Sequence, residues 1–95
     1  MMGRKSLLKK LYEETTDRPD TGETWLIIYD FKGKKPNPRF WSGLNELISI
    51  LDDAERIQYS VMKTKSRKGA VTAVKLARHY GAEVKVFMGE EATLI

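Results

Sequence analysis

The run from Thr24 to Phe31 constrains the fold of this chain more than any other stretch. It is rich in bulky and β-branched residues, and it ends at Asp30, where a loop of Lys, Gly and Pro begins. A run of this kind predicts a central β-strand that is buried on both faces. Asp30 is then a carboxylate at the carboxyl end of a buried strand.

A helix and an alternating segment follow this strand. Asn37-Pro38 predicts a helix start, with Asn as the cap and Pro at the first helical position, where its missing N–H costs nothing. The helix continues to Leu51, with Phe40 and Trp41 among apolar residues at helical spacing, so both rings are expected in the core. Residues 55–64 then alternate with the period of a strand.

A second helix and a further strand complete the pattern. The helix is predicted from about Ser66 to Tyr80, and Gly81 is placed to end it in a left-handed conformation. Glu83 to Met88 alternates again, with Val84, Val86 and Met88 predicted to face inward. Residues 92–95 predict a short edge strand.

The N-terminal segment predicts an additional helix. Ser6 to Glu14 places four apolar side chains on one face: Leu7, Leu8, Leu11 and Tyr12. Thr15 to Glu23 is polar, contains Pro19 and Gly22, and reads as a linker. We therefore expect an N-terminal helix and linker at residues 1–23 and a single α/β domain at residues 24–95.

The order of these elements allows two α/β architectures. If residues 55–65 bend into two short strands, the plan is the ferredoxin-like β-α-β-β-α-β. If they form one strand, the plan is a three-stranded parallel β-α-β-α-β sheet. No turn signal such as Asn-Gly interrupts this stretch, which counts against the hairpin. The sequence leaves both plans open.

Composition excludes several classes of protein. The 95 residues contain no cysteine, which rules out a disulfide scaffold, thiolate zinc sites and thiol nucleophiles. The longest aromatic and aliphatic run, Trp25 to Tyr29, is far shorter than the roughly 20 residues of a membrane-spanning helix. Met1 to Lys10 lacks the apolar stretch of a secretory signal. We expect a soluble, cytoplasmic protein without a membrane partner.

Basic residues concentrate in two short stretches that contain no acid, although the net charge is only +4. The first basic cluster consists of Lys32, Lys34, Lys35 and Arg39. The second basic cluster consists of Lys63, Lys65, Arg67 and Lys68. Such segregation indicates a polyanionic partner, and the predominance of lysine suits attraction to phosphates more than reading of base edges. Both architectures were expected to bring the two clusters together on one rim beside Asp30.

Three segments resemble the CRISPR-associated Cas-two family, the small dimeric subunits of the spacer-acquisition machinery. Glu-Arg-Ile-Gln-Tyr-Ser-Val-Met at residues 55–62 is similar to the second-strand signature of that family. Leu-Ile-Ile-Tyr-Asp at residues 26–30 resembles its first strand, and Val-Lys-Val-Phe-Met-Gly at residues 84–89 resembles its last core strand. Met62 and Ala54 depart from the phenylalanine and glycine usual there, and about twenty extra residues precede the first strand.

The resemblance implies a ferredoxin-like homodimer that binds duplex DNA or cleaves RNA or DNA with a divalent metal. It maps the proposed metal ligand and catalytic aspartate of the family onto Asp30, with Mg²⁺ as the cofactor. One carboxylate per chain is a poor site, but a two-fold axis could bring a second Asp30 near it. The alternative role of Asp30 is to accept backbone N–H bonds in the loop that follows.

The remaining polar residues suggest no other chemistry. His79 is the only histidine, and Ser60 has no base in view that could activate it. Our first interpretation is a nucleic-acid-binding, Cas-two-like dimer subunit and possible endonuclease. The alternative is a non-catalytic protein-interaction or scaffold module, which would pair residues 55–64 or 92–95 with another subunit's sheet edge. A Rossmann-like nuclease ranks last, because only Asp30 stands clearly at a strand end.

Overall fold

The computed structural model of the chain describes residues 5–16, 18–90 and 92. In chain order the elements are α1 (Leu7–Glu14), β1 (Thr24–Asp30), α2 (Pro38–Ile50), β2 (Glu55–Gln58), β3 (Val61–Thr64), α3 (Arg67–His79) and β4 (Glu83–Gly89). The predicted α/β class is confirmed, and α1 is the expected additional helix. The edge strand predicted at residues 92–95 lies, apart from Ala92, outside the described residues.

The four strands form one antiparallel sheet in the order β2-β3-β1-β4. The three-stranded parallel alternative is therefore wrong. Residues 55–64 form a hairpin that turns at Tyr59 and Ser60, of which only Ser60 belongs to the residue types that favour turns. Alternation of apolar and polar residues hid the turn, because Tyr59 and Ser60 continue that alternation themselves.

The core lies between one face of the sheet and the helices. Ile27 and Tyr29 of β1 and Met62 of β3 are buried on this face, and α3 contacts β1, β3 and β4. The ring of Phe40, on α2, packs edge-on against that of Tyr29, with 5.2 Å between centroids. Leu8 of α1 joins the same core, and α1 packs on α2 and α3.

The opposite face of the sheet has no helix over it in the described part of the chain. Leu26 and Ile28 of β1 are only half-buried there, and Phe87 of β4 is 55% exposed. The strand β1 is central, as predicted, but it is not covered on both faces. Val86 and Met88, predicted to face inward, are also largely exposed, because β4 is an edge strand that the helices cover only in part.

The predicted helix boundaries are close to those observed. The Asn37 side chain caps α2 by accepting the Arg39 N–H at 2.9 Å, with Pro38 in the first turn. The Ser66 hydroxyl caps α3 by accepting the Gly69 N–H at 2.9 Å. Gly81 follows α3 with φ of 90°, the left-handed conformation that ends helices. None of the three helices in the described residues is long and apolar enough to cross a membrane.

Candidate nucleic-acid interface

The two basic clusters lie at opposite ends of the sheet. Strand β3 runs antiparallel to β1, so that Val61 is opposite Ile28 and Thr64 is opposite Trp25. The chain therefore leaves β3 at the end where it enters β1, and the second cluster follows there. The first cluster follows Asp30 at the other end. Asp30 follows Trp25 by five positions along β1, which corresponds to roughly 17 Å.

The expectation that both clusters converge beside Asp30 is therefore wrong. The expectation covered the hairpin plan as well, but in that plan β3 runs antiparallel to β1 and therefore ends beside Trp25 and not beside Asp30. We call the two regions the Asp30 end and the Trp25 end of the sheet. At the Asp30 end, the β1–α2 loop, the β2–β3 turn and the start of β4 come together.

A tight turn holds the beginning of the loop at the Asp30 end. The Lys34 N–H donates to the Phe31 carbonyl oxygen at 3.1 Å, and the central residues Lys32 and Gly33 have φ of 57° and 77°. The Asp30 carboxylate supports this turn, since its Oδ1 accepts the Lys32 N–H at 2.8 Å. This is the loop-capping role that the sequence offered as the alternative to metal binding.

Lys32 is the one member of the first cluster that pairs with acids among the described residues. Its Nζ lies 2.9 Å from Glu83 Oε2 and 3.9 Å from Asp30 Oδ2. The hydrogen bond to Glu83, with the charges of Glu83 and Asp30, raises the pKa of Lys32 above its ordinary value. Lys32 thus joins the loop to β4 more than it offers a charge to a partner.

The rest of the first cluster is unmatched by acids. Lys34, Lys35 and Arg39 are exposed, and within residues 5–16, 18–90 and 92 none of them forms an ion pair. Their backbones are fixed by the turn and by the start of α2, while their charged ends are in solvent. The positive charges of Lys34 and Lys35 on the loop and of Arg39 in the first turn of α2 create a local field that an anion can enter.

Acidic residues surround the second cluster. Lys63 Nζ lies 3.5 Å from Glu55 Oε1. Asp53 Oδ2 accepts the Lys65 N–H at 2.6 Å, and Asp53 Oδ1 accepts the Thr64 hydroxyl at 2.9 Å. A cavity of about 590 Å³ lies here, and Asp53, Glu55 and Glu90 line it together with Lys63 and Lys65.

The helical members of the second cluster are also held by neighbours. Asp20 Oδ1 accepts the Arg67 N–H at 2.9 Å. The Lys68 ammonium lies over the Tyr12 ring of α1, 4.2 Å from its centroid, a cation–π contact. Acids and an aromatic ring therefore occupy the surroundings of this cluster, and the potential at the Trp25 end is mixed rather than positive.

Asp30 stands alone as a potential metal ligand. It is exposed at the end of β1, and the described residues contain no group of three or more His, Cys, Asp or Glu that could hold a metal ion. Its nearest acidic neighbour across the strands is Glu83, and Lys32 lies between the two carboxylates. The carboxylates of the described residues thus do not make a complete Mg²⁺ site.

An aromatic cleft adjoins the first basic cluster, and the sequence did not reveal it. We use this name for a cavity of about 400 Å³ lined by Tyr29, Phe31, Lys34, Lys35, Trp41 and Tyr59 among others. Phe40 is fully buried, as predicted, and Trp41 packs against the core but is only half-buried, so that it also lines the cleft. Tyr59 is 67% exposed at the hairpin turn.

The rings of the cleft contact one another and a cation. The centroids of Trp41 and Tyr59 are 4.8 Å apart with planes inclined by 53°, and the Arg56 guanidinium lies 5.2 Å from the Trp41 centroid. The missed signal was the combination of a cation, Arg56 on β2, with an aromatic residue, Tyr59 in the turn that follows β2. Without knowledge of the hairpin, the proximity of Arg56 and Tyr59 to Trp41 could not be inferred.

Tyr29 forms part of the cleft wall and carries an unusual hydroxyl. Its oxygen is buried and has no hydrogen-bond partner among the described residues. Burial raises the pKa of Tyr29 to about 12, and Arg56 opposes this rise. At neutral pH the group is a protonated phenol, with a donor that the described chain leaves unused.

The other residues weighed in the sequence have structural surroundings. His79 is exposed, and its ring packs edge-on against Tyr80 with centroids 4.8 Å apart. The Ser60 carbonyl oxygen accepts the Tyr29 N–H at 3.0 Å in the turn. Comparisons with protein-family models, with curated proteins and with solved structures found no match to this chain.

Proposed function

We propose that this protein binds nucleic acid through the first basic cluster at the Asp30 end of the sheet. Each cluster contains one ion-paired lysine, Lys32 or Lys63. The observation that carries the proposal is that acids also accept the backbone N–H groups of Lys65 and Arg67 in the second cluster, whereas Lys34, Lys35 and Arg39 have no hydrogen bond or ion pair to an acid in the described residues. Asp30 lines the aromatic cleft beside Lys34 and Lys35 without pairing with them, so phosphates would supply the partners of these cations.

The proposal predicts a salt dependence. Each phosphate that a cation neutralises contributes about −0.9 to the slope of log affinity against log salt on duplex DNA. Contacts from Lys34, Lys35 and Arg39 then give a slope of about −2.7 per chain. Lysine-rich phosphate binding of this kind discriminates little between base sequences.

A titration of labelled nucleic acid at several salt concentrations tests the proposal. We compare the wild type with Lys34→Ala/Lys35→Ala and with Lys65→Ala/Lys68→Ala, which removes the same charge from the Trp25 end. The first variant is expected to bind more weakly and with a shallower salt slope, and the second to bind nearly as the wild type does. Equal losses in both variants would contradict a specific role for the first cluster.

The fold supports a more specific form of the proposal, a ferredoxin-like subunit of the Cas-two kind. The strand order, the antiparallel pairing and the two helices α2 and α3 on one face fit the β-α-β-β-α-β plan. The family-like residues 55–62 form β2, the turn and the start of β3, and Asp30 ends β1. The resemblance remains a proposal and rests on these short segments.

The uncovered face of the sheet supports association of two chains. Leu26, Ile28 and Val61 are half-buried on this face, and Phe87 is more than half exposed beside them. An apolar surface of this kind marks a site of protein contact. Sedimentation of the wild type and of Phe87→Asp tests the dimer, which the variant is expected to dissociate. A wild-type monomer at micromolar concentration would refute it.

The same surface favours a second candidate function, a non-catalytic interaction module. Its predicted route through residues 55–64 is partly wrong, because β3 already pairs on both sides and only β2 lies at a sheet edge. The outer edge of β4 is the longer alternative, with seven residues. Absence of nucleic-acid binding at low salt, together with a stable dimer, would favour this function over the first.

Nuclease activity through Asp30 and Mg²⁺ is a separate proposal, and it requires two chains. A complete site needs ligands beyond this one carboxylate, and a two-fold axis near Asp30 would supply a second. Asp30→Asn is the matched variant, because its amide oxygen can still accept the Lys32 N–H. Cleavage that needs Mg²⁺ and is lost in Asp30→Asn would support the proposal, and cleavage that persists in the variant would refute it.

A further inference from the structure

The aromatic cleft has features that contact with phosphates alone does not require. We infer that it accepts one unpaired nucleobase, so that the chain binds a single strand in preference to a duplex. The inference deepens the proposed nucleic-acid binding and rests on it. The cleft measures about 400 Å³, which lies within the range of pockets that hold small ligands.

Tyr59 provides the stacking surface. Two-thirds of this side chain is exposed at the tip of the β2–β3 turn, an unfavourable place for a large ring in water. Its contact with Trp41 is tilted by 53° rather than stacked, and most of the Tyr59 side chain remains accessible. Trp41 is itself held by the Arg56 guanidinium, 5.2 Å from its centroid. A flat base stacked on Tyr59 would cover the exposed ring.

The cations of the first cluster stand at the same cleft. Lys34 and Lys35 line it together with Tyr59. A nucleotide whose base lies on the ring therefore has its phosphate beside these ammonium groups. This combination of stacking aromatics with cations that follow the backbone is typical of proteins that bind single strands. In a duplex both faces of each base are already stacked, so only an unpaired or displaced base can enter.

The Tyr29 hydroxyl supplies an independent observation. Tyr29 lines the cleft, and its buried hydroxyl has no partner in the described chain. An unpaired buried donor is unfavourable, and native structures seldom keep one without a role. The edges of nucleobases carry carbonyl oxygens and ring nitrogens that accept hydrogen bonds. A base edge that reaches the cleft wall would pair this donor.

Two strands that differ only in their bases test the inference. The probes are a labelled oligothymidine and an abasic strand of the same length and phosphate charge, titrated at one low salt concentration. The wild type is expected to prefer oligothymidine by roughly 5- to 150-fold, the range of alanine substitutions at stacking rings. Tyr59→Ala is expected to lose this preference, and Tyr59→Phe, which keeps the ring, to retain it.

The outcomes separate this inference from the proposed function. Equal affinity of the wild type for both strands would overturn base insertion and leave phosphate binding intact. A preference that survives in Tyr59→Ala would also overturn it, because the base would then bind elsewhere. Failure of both strands to bind at low salt would refute the proposed function as well. Thermal unfolding of the two variants checks that the turn, where Tyr59 is exposed, still folds.

Discussion

The Asp30 end and the Trp25 end of the sheet carry the same number of clustered basic residues but differ in what surrounds them. Asp20, Asp53 and Glu55 contact three members of the second cluster, whereas in the described residues the acids at the first cluster, Asp30 and Glu83, contact only Lys32. A buried hydroxyl at each end shows the same contrast. Thr64 donates to Asp53, and Tyr29 has no partner among the described residues. Contact of the basic residues with nearby acids, more than the number of basic residues, distinguishes the Trp25 end from the end proposed to bind nucleic acid.

The largest expected effect comes from charge reversal. Lys34→Glu/Lys35→Glu should weaken nucleic-acid binding by roughly 100-fold or more at low salt, because two phosphate contacts become repulsions. Lys65→Glu/Lys68→Glu should change the affinity by less than about tenfold, an effect of net charge alone. Titrations with the same labelled strand measure both. A greater loss from the second pair would reverse the assignment of the two ends.

Removal of the Thr64 hydroxyl and removal of the Tyr29 hydroxyl should change the free energy of unfolding in opposite directions. Thr64→Val leaves Asp53 Oδ1 without the hydroxyl that donates to it and should lower the free energy of unfolding by about 2 kcal/mol. Tyr29→Phe removes a buried polar group that has no described partner and should raise it by about 1 kcal/mol. Urea unfolding at neutral pH measures both changes. Destabilisation by Tyr29→Phe would mean that the hydroxyl already has a favourable contact in the free protein.

Alkaline unfolding sharpens the same comparison. The pKa of Tyr29 is about 12 in the folded chain, against about 10 when it is exposed. The folded protein favours the neutral phenol of Tyr29 over the charged phenolate. The resulting contribution to the free energy of unfolding is complete below pH 10 and is lost as the pH rises through 12. The loss amounts to roughly 2 to 3 kcal/mol. The stability advantage of Tyr29→Phe over the wild type should therefore grow between pH 10 and pH 12, and a constant difference would contradict the raised pKa.

The two helix caps offer a smaller, matched test. Asn37→Ala and Ser66→Ala each remove an N-cap and should each lower the stability by about 1 kcal/mol. Only Asn37→Ala also loosens the loop that carries Lys34 and Lys35, so only this variant should weaken binding, by a few-fold. Binding and unfolding of both variants are measured in the same buffer. Equal binding losses would indicate a general effect of stability.

The smallest expected effect follows from removing the negative charges that lie near the second cluster at the Trp25 end. Asp20→Asn/Glu55→Gln keeps hydrogen-bonding groups near Arg67 and Lys63 while it removes two negative charges. Nucleic-acid binding should strengthen by about two- to fivefold at low salt, and the gain should vanish at high salt. A similar gain from Glu13→Gln/Glu14→Gln on α1 would show that net charge alone produces it.

The sequence predicted the elements better than it predicted their directions. The Asn37-Pro38 start of α2, the end of α3 at Gly81 and the central place of β1 could be predicted because local chemistry determines each. The turn at Tyr59 and Ser60 could not, because it is specified by pairing of β3 with β1 and not by its own residues. The convergence of the basic clusters, expected under both architectures, was wrong because β3 is antiparallel to β1 and ends beside Trp25.

The candidate site also has one part that the sequence predicted and one part that it did not. Asp30 and the lysines that follow it were predicted as a unit, since they are adjacent in the sequence. The aromatic cleft was missed because Trp41 comes from a helix whose spacing indicates core, and Tyr59 comes from a segment that was expected to be a strand. Sites assembled from distant segments depend on the fold, and here the deciding element was a two-residue turn.

The central position of β1 has a consequence for the synthesis of the protein. Thr24 pairs with Gly89 and Asp30 with Glu83, so that 65 and 53 residues separate the partners. While a ribosome is still making α3, one side of β1 lacks its neighbour and the sheet cannot close. Such non-local pairing makes folding slow and exposes an unpaired strand in the nascent chain. This protein is therefore expected to fold only after β4 has emerged, and until then a chaperone has an open strand to bind.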